Sequence, residues 1–294
     1  MNLKRTAAFV TIGLIWGSAW LVQQTLQTPG DQLQFSALSY GFSAVVLGII
    51  GLIFRLPRPR IKECGYCVIL GVTLVSLPYL LSLYASPHVS SSLAIIVLSL
   101  TPLVATFLLD APWSARNAAI AGTAGVVLVV ADTASTSSRQ LGGVGLLLIG
   151  VAAVAISLVL AKKYLSQIHP VFMSSMLLAV AAIILGLTGI FESGRTATAF
   201  QTVPWMQLAW VCAGNSIAYV LYFWLLKRIR PDQLASIIWL QFLVSLAEGA
   251  LLFHPRIQLQ MLAGILVVAG GLIALARSKT ENKMLTVGVT LRPR

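Results

Sequence analysis

The sequence predicts an all-α integral membrane protein of ten transmembrane helices, arranged as a 5+5 inverted repeat with both termini in the cytoplasm. Three observations carry this prediction: the scarcity of charge, the placement of the basic residues and a weak internal repeat. Of 294 residues, 58% are hydrophobic and 10% are charged, and the mean hydropathy is +0.90. A soluble domain of this length needs about 25% charged residues to cover its surface. The composition therefore excludes a water-soluble domain.

Ten apolar segments can be marked along the chain, and each is close to the roughly 20 residues that cross about 30 Å of hydrocarbon. Gly, Pro, Ser and Thr within them are typical of membrane helices, whose neighbours satisfy the backbone groups that such residues free. The predicted segments are residues 6–25, 32–54, 64–84, 88–109, 114–132, 142–161, 170–191, 204–226, 232–253 and 257–277.

The basic residues orient these segments. With the N-terminus inside, 17 of the 20 Lys and Arg residues fall in cytoplasmic segments or termini, and only Arg139, Arg195 and Arg256 fall outside. An excess of this kind on the cytoplasmic side is typical of membrane proteins. The polar stretch 278–294 is then a disordered cytoplasmic tail.

The net charge of +12 does not indicate nucleic-acid binding. The basic residues lie in short connectors and termini, without the clustered basic face that nucleic-acid binding requires. We interpret them as topology signals and contacts for anionic lipids.

The chain resembles itself at an offset of about 140 residues. Residues 76–81 match residues 216–221, and the pair 93–94 matches 234–235 one residue further along. Each match is weak, but together they pair each helix with the one five later. Since five is odd, the second copy must be inverted relative to the first, an architecture found in secondary transporters. The predicted repeats are residues 1–137 and 138–277.

Motifs in three segments carry a family resemblance. The first segment contains Trp16-Gly-Ser-Ala-Trp20, the fourth Ser99-Leu-Thr-Pro-Leu103 and the eighth Ala218-Tyr-Val-Leu-Tyr-Phe-Trp224. Over about residues 5–277 the chain resembles the drug/metabolite transporter superfamily, EamA type. The resemblance implies a 5+5 inverted fold and export or exchange of amino acids, other metabolites or drugs. It also implies a cavity lined mainly by helices 1, 3, 4, 6, 8 and 9, with helices 5 and 10 behind.

Two positions depart from the family pattern. Gln241-Phe242 stands where members often have an acidic residue followed by Pro, and His254-Pro-Arg256 replaces a Gly-Glu-Arg pattern. These departures concern the charge of the substrate and ion coupling more than the fold.

Polar and aromatic residues inside the segments predict a substrate cavity, because polar side chains facing lipid are costly. On helix eight, Asn215, Tyr219 and Tyr222 share one face, and Gln241, Ser245 and Glu248 share a face of helix nine. Structural hydrogen bonds between helices are the competing interpretation. The predicted cavity residues are Trp16, Trp20, Tyr79, Ser99, Asn215, Tyr219, Tyr222, Gln241 and Ser245.

Glu248 is the one acidic residue well inside a predicted span. An intramembrane carboxylate is a functional candidate by default, here for proton coupling or for binding a substrate ammonium. Pairing with Arg256 or contact with water is the structural alternative.

The sequence predicts a carrier rather than an enzyme, with no cofactor and no metal site. No HExxH motif, paired catalytic Asp or Ser/His arrangement is present. A multidrug exporter, an organellar exchanger and a channel remain alternatives to a metabolite exporter. The expected partners are a small-molecule substrate and the lipid bilayer, and the expected location is the bacterial cytoplasmic membrane. Glycines in helices five and ten allow close helix packing, including that of a homodimer.

Overall fold

The computed structural model describes residues 3–24, 29–130, 140–193, 205–253 and 259–278. All regular elements in these ranges are helical. We name the helices α1 (Leu3–Gln24), α2 (Pro29–Ile53), α3 (Ile61–Ala85), α4 (Ser91–Leu108), α5 (Trp113–Val130), α6 (Leu141–Tyr164), α7 (Pro170–Ser193), α8 (Trp205–Leu226), α9 (Pro231–Ala235 and Ile237–Phe253) and α10 (Leu259–Arg277).

Within the described residues, nine helices, α2 to α10, are long and apolar enough to cross a membrane. They are preceded by α1, which has 22 residues. The chain is therefore a multi-pass membrane protein. The predicted tail and the predicted boundary between the repeats at residues 137 and 138 lie outside the described residues, apart from Ser278.

The helices pack in a regular pattern. The most extensive contacts are those of α2 with α7 and of α5 with α10. α1 packs against α8 and α9, while α6 packs against α3 and α4. In addition, α8 contacts α2, α7 contacts α3, and the start of α9 contacts the second part of α4.

The close contact between α5 and α10 depends on glycine. A Cβ atom added to Gly125 would lie 2.6 Å from the backbone nitrogen of Val268, and one added to Gly271 would lie 2.6 Å from that of Gly122. Both distances are below van der Waals contact, so the two backbones touch where side chains are absent. These glycines form a contact between two helices of the same chain, whereas a Cβ on Gly270 would meet open space.

Two helices in the first half of the chain are irregular. α3 contains a π-helical turn at Gly71–Ser76. α4 is interrupted after Leu98 and resumes at Thr101, with Pro102 at its second position. Proline has no N–H, so it cannot donate to the carbonyl of Leu98 four residues earlier. The hydroxyl of Thr101 donates to that oxygen instead, at 2.7 Å.

Candidate functional site

Aromatic residues from three helices meet in one cluster. The ring of Trp16 on α1 lies 5.2 Å from those of both Tyr219 and Tyr222 on α8, between ring centroids. Tyr40 on α2 lies 6.2 Å from Tyr219, between ring centroids, in an edge-to-face arrangement. These distances are typical of favourable aromatic pairs. We call Trp16, Tyr40, Tyr219 and Tyr222 the aromatic cluster.

Tyr79, the predicted cavity residue on α3, lies next to this cluster but points to α2. Its hydroxyl accepts a hydrogen bond from Ser36 at 2.7 Å and donates to the carbonyl of Gln32 at 3.2 Å. The structure thus joins α3 to α2 through the tyrosine that the internal repeat pairs with Tyr219.

The sequence interpretation missed the polar face of α2. Ser36, Ser39, Tyr40 and Ser43 are all buried, and they occupy one helical face at i, i+3, i+4 and i+7. Ser43 donates to the carbonyl of Cys212 on α8 at 2.9 Å. The same spacing argument that selected residues on helices eight and nine would have found this face, which the family resemblance did not include in the cavity lining.

Asn215 lies one helical turn before Tyr219 on α8, and its side chain has no hydrogen-bond partner among the described residues. Only 6% of the residue is exposed. Its amide atoms keep contact with solvent, because the fully buried side-chain atoms without a partner in the described residues are Nε of Arg116 and Oε1 of Gln207. This amide is therefore available to a ligand beside the aromatic cluster.

A separate cavity of about 60 Å³ lies between α4, α5 and α9. Three predicted site residues line it: Ser99, Gln241 and Ser245. Ligand sites for drug-sized molecules measure about 300–1,000 Å³, so this cavity has room for a few waters only. The other lining residues are Ile95, Leu98, Val126, Ile238, Trp239 and Phe242.

The polar atoms of Ser99 are engaged within the protein. Its hydroxyl donates to the carbonyl of Ile96 at 2.7 Å. Its own carbonyl, at the interruption of α4, accepts from Nε1 of Trp239 at 3.1 Å and from the hydroxyl of Thr123 at 3.2 Å. Trp239 was not among the predicted site residues.

Ser245 and Glu248 face α1. The hydroxyl of Ser245 donates to the carbonyl of Gly17 at 2.9 Å, and the hydroxyl of Ser18 donates to Oε1 of Glu248 at 2.5 Å. α1 approaches closely here because a side chain on Gly17 would overlap Val244. The side chain of Glu248 is partly exposed and makes a polar contact between α1 and α9.

Basic residues at the predicted cytoplasmic ends of the helices make hydrogen bonds and an ion pair at the helix termini. Lys162 on α6 donates to the carbonyls of Leu226 and Ile229 at the end of α8, where backbone oxygens lack helical partners. Arg230 forms a two-point ion pair with Asp232, which has no exposed surface. Burial, together with the nearby charge of Arg228, lowers the pKa of Lys227.

The structure thus divides the predicted site residues between two places. Trp16, Tyr79, Asn215, Tyr219 and Tyr222 lie at or next to the aromatic cluster. Ser99, Gln241 and Ser245 line the small cavity. The side chain of Trp20 lies outside the described residues.

Comparisons with known proteins agree on the class of protein. The sequence model of the EamA-like transporter family matches residues 6–131 and 141–277. Two Bacillus subtilis (strain 168) proteins, uncharacterized transporters YvbV and YoaV, are each 22% identical to the chain. The matches cover 97% and 92% of this chain, and 96% of each relative. A solved structure superposes with a TM-score of 0.75 at 17% identity and covers 93% of this chain and 96% of its own, which shows a shared fold.

Proposed function

Because this chain belongs to the EamA-like transporter family, we propose that it is a secondary carrier that moves a small organic metabolite by alternating access. Together with α1, the nine described spans α2 to α10 make ten. Residues 1–137 and 138–277 are inverted halves, and both termini are cytoplasmic. The Bacillus relatives favour the bacterial cytoplasmic membrane, and export is the proposed direction.

The observation that carries this proposal is the packing pattern. When every helix is replaced by the one five positions away, the most extensive contacts map onto one another: those of α1 with α8 and α9 become those of α6 with α3 and α4, whereas the smaller contact of α7 with α8 has no counterpart of similar extent among the described residues. The contact of α8 with α2 becomes that of α3 with α7, and the pairs α2–α7 and α5–α10 map onto themselves. The family matches at 6–131 and 141–277 fall on either side of the proposed boundary.

This pattern supports alternating access for a physical reason. If the halves have the same fold in opposite orientations, each can adopt the conformation of the other at little cost in free energy. That exchange converts an opening on one side of the bilayer into an opening on the other. A substrate held between the halves is then carried across without a continuous pore.

The chemistry of the aromatic cluster supports a particular class of substrate. Aromatic faces, tyrosine hydroxyls and the free amide of Asn215 suit an amino acid-like or drug-like molecule with both apolar and hydrogen-bonding groups. In the described residues, Lys162 donates to backbone carbonyls and Arg230 pairs with Asp232, both at helix ends. A strongly anionic substrate would need such cations near the aromatic rings.

The proposal is tested by two linked measurements. A metabolite-wide comparison of efflux from cells with and without the protein identifies the substrate. Purified protein in proteoliposomes should then transport that substrate with saturation and with stimulation by substrate on the opposite side. Flux that neither saturates nor shows counterflow would identify a channel. Efflux of many unrelated drugs would favour the alternative of a multidrug exporter. Strict one-for-one exchange would favour the alternative of an organellar exchanger.

A further inference from the structure

The hydrogen bond between Trp239 and Ser99 joins the two proposed halves at the interruption of α4. Nε1 of Trp239 lies 3.1 Å from the carbonyl oxygen of Ser99, and the tryptophan has no exposed surface. Its ring is seated against α5, since a Cβ atom on Gly122 would overlap it. The bond therefore forms in a fixed place between α4, α5 and α9.

The two partners occupy nearly equivalent positions of the repeat. Ser99 and Trp239 are 140 residues apart, the offset that relates Tyr79 to Tyr219 and one residue less than the offset of 141 that relates 93–94 to 234–235 in α4 and α9. In an inverted repeat, a residue contacts its own equivalent only near the axis that relates the halves. A second such contact supports the position of the axis: Gly41 and Ala182 are 141 residues apart, and a Cβ on Gly41 would lie 3.6 Å from that of Ala182.

Contacts on the axis that relates the two halves differ from other contacts between the halves in how their distances change when the halves swap conformations. When the halves swap conformations, the backbone of each residue takes the position that its equivalent had. The Cα–Cα distance between a residue and its equivalent is therefore the same before and after the swap. The pair Ser18–Glu248 is 230 residues apart, so it is not an equivalent pair and its distance is free to change.

We propose that Trp239 is a positioning residue that holds the pivot of the transport cycle at the carbonyl of Ser99. The proposal rests on the carrier function with inverted halves. The close approach of α4 and α9 at these two residues persists in the inward-open and outward-open states, while contacts such as Ser18–Glu248 form in one and break in the other. Thr123, in the same half as Ser99, also donates to this carbonyl, so small rotations about the pivot do not leave it unsatisfied in the membrane.

The test measures motion directly. Spin labels at positions 62 and 228 report the cytoplasmic ends of α3 and α8, and labels at 86 and 206 report their outer ends, all exposed in the structure. In a cysteine-free background in nanodiscs, the parent protein should show two distances for each pair. The opening of one pair should accompany the closing of the other.

Two cross-links then distinguish a contact that keeps its distance during transport from one that changes. A short bifunctional thiol reagent joining Ser99→Cys to Trp239→Cys should leave both distances populated, because the pivot does not move. The same reagent joining Ser18→Cys to Glu248→Cys should leave only one. Cross-linking a contact between the halves that changes during transport would trap the protein in one state. Retention of both states is therefore specific to a pivot.

A variant without cross-links gives an independent measurement. Trp239→Phe keeps an aromatic ring against Gly122 but removes the donor, and should change the ratio of the two states by less than about twofold while lowering Tm. Ser18→Ala should shift that ratio by about 2- to 10-fold, the effect of one hydrogen bond present in a single state. Trp210→Phe, on an exposed face of α8, controls for the loss of a tryptophan.

The outcomes are distinguishable. The pivot is overturned by a single state after the 99–239 cross-link, or by a ratio of states in Trp239→Phe that shifts as much as in Ser18→Ala. Neither result contradicts the carrier function. A parent protein with one distance for each label pair under all substrate and pH conditions overturns the carrier mechanism itself.

Discussion

At the scale of single residues, most hydroxyl groups inside the helices have a backbone partner. Ser99, Thr101 and Thr106 each donate to a carbonyl three residues earlier. Serine and threonine bond in this way in membrane helices because no water reaches the backbone there. Asn215 differs, since its side-chain amide has no hydrogen-bond partner in the part of the chain that the structure describes.

This difference predicts the effect of a substitution. Asn215→Ala should lower kcat/KM for the identified substrate by about 3- to 10-fold, the net value of one hydrogen bond to a ligand. Initial rates of uptake, normalised to membrane-inserted protein, measure the effect. Ser216→Ala is the matched control, because Ser216 donates only to Cys212 in its own helix at 2.8 Å. Unchanged kinetics in both Asn215→Ala and Gln241→Ala would remove the amides from the substrate site.

Glu248 gives a second prediction at this scale. If its carboxylate carries the coupled proton, Glu248→Gln should abolish stimulation of transport by a pH gradient and leave substrate exchange intact. Proteoliposomes with and without an imposed gradient measure both activities. Glu192→Gln is a suitable control because that carboxylate is exposed and accepts a hydrogen bond from Tyr84. A Glu248→Gln protein that still responds fully to the gradient contradicts the role.

Two Arg–Asp pairs give a prediction about burial. Asp232 has no exposed surface beside Arg230, whereas the side chain of Asp110 is 92% exposed beside Arg116. Asp232→Asn should lower the free energy of unfolding by about 3–5 kcal/mol because it removes a fully buried counter-charge from the guanidinium of Arg230, whose side chain is only 12% exposed. Asp110→Asn should cost less than about 1 kcal/mol. Equal effects on unfolding in detergent would mean that the buried pair does not stabilise the start of α9.

At the scale of helices, glycine decides which faces touch. Gly264 on α10 faces the backbone of α5, and a Cβ atom there would lie 2.8 Å from the carbonyl oxygen of Gly125. The backbone of α5 cannot move away without separating two helices that pack along their length. Gly270, on the same helix, faces open space.

A pair of alanine substitutions tests this contact. Gly264→Ala should lower the free energy of unfolding by about 1–3 kcal/mol through overpacking. Gly270→Ala should be neutral or stabilise α10 by up to about 1 kcal/mol, since alanine favours the helix over glycine. Thermal unfolding in one detergent compares them. Equal stability of the two variants would show that α5 and α10 do not approach as closely as described.

At the scale of the whole molecule, the proposed halves require an even number of spans. Reporters fused to the two ends of the chain should both be active in the cytoplasm, because ten crossings return the chain to its starting side. The 17-to-3 distribution of basic residues predicts the same orientation. Ends on opposite sides of the membrane would mean an odd number of crossings and would exclude two inverted halves of five spans.

The sequence by itself determined the membrane class, the position of the helices and the family. These follow from local composition, because about 20 apolar residues in a row have few alternatives to crossing the bilayer. Repeat matches such as Tyr79 with Tyr219 also came from the sequence alone, as did most of the aromatic cluster.

The tertiary structure decided which polar groups remain free. Ser245 and Asn215 look equally suited to a ligand in the sequence, but Ser245 bonds to Gly17 of α1, a partner 228 residues away, and Asn215 has none among the described residues. The roles of Tyr40 and Trp239 likewise depend on which helices meet. Helix formation needs only neighbours in the chain, whereas hydrogen-bond satisfaction depends on distant segments whose arrangement a single helix does not encode.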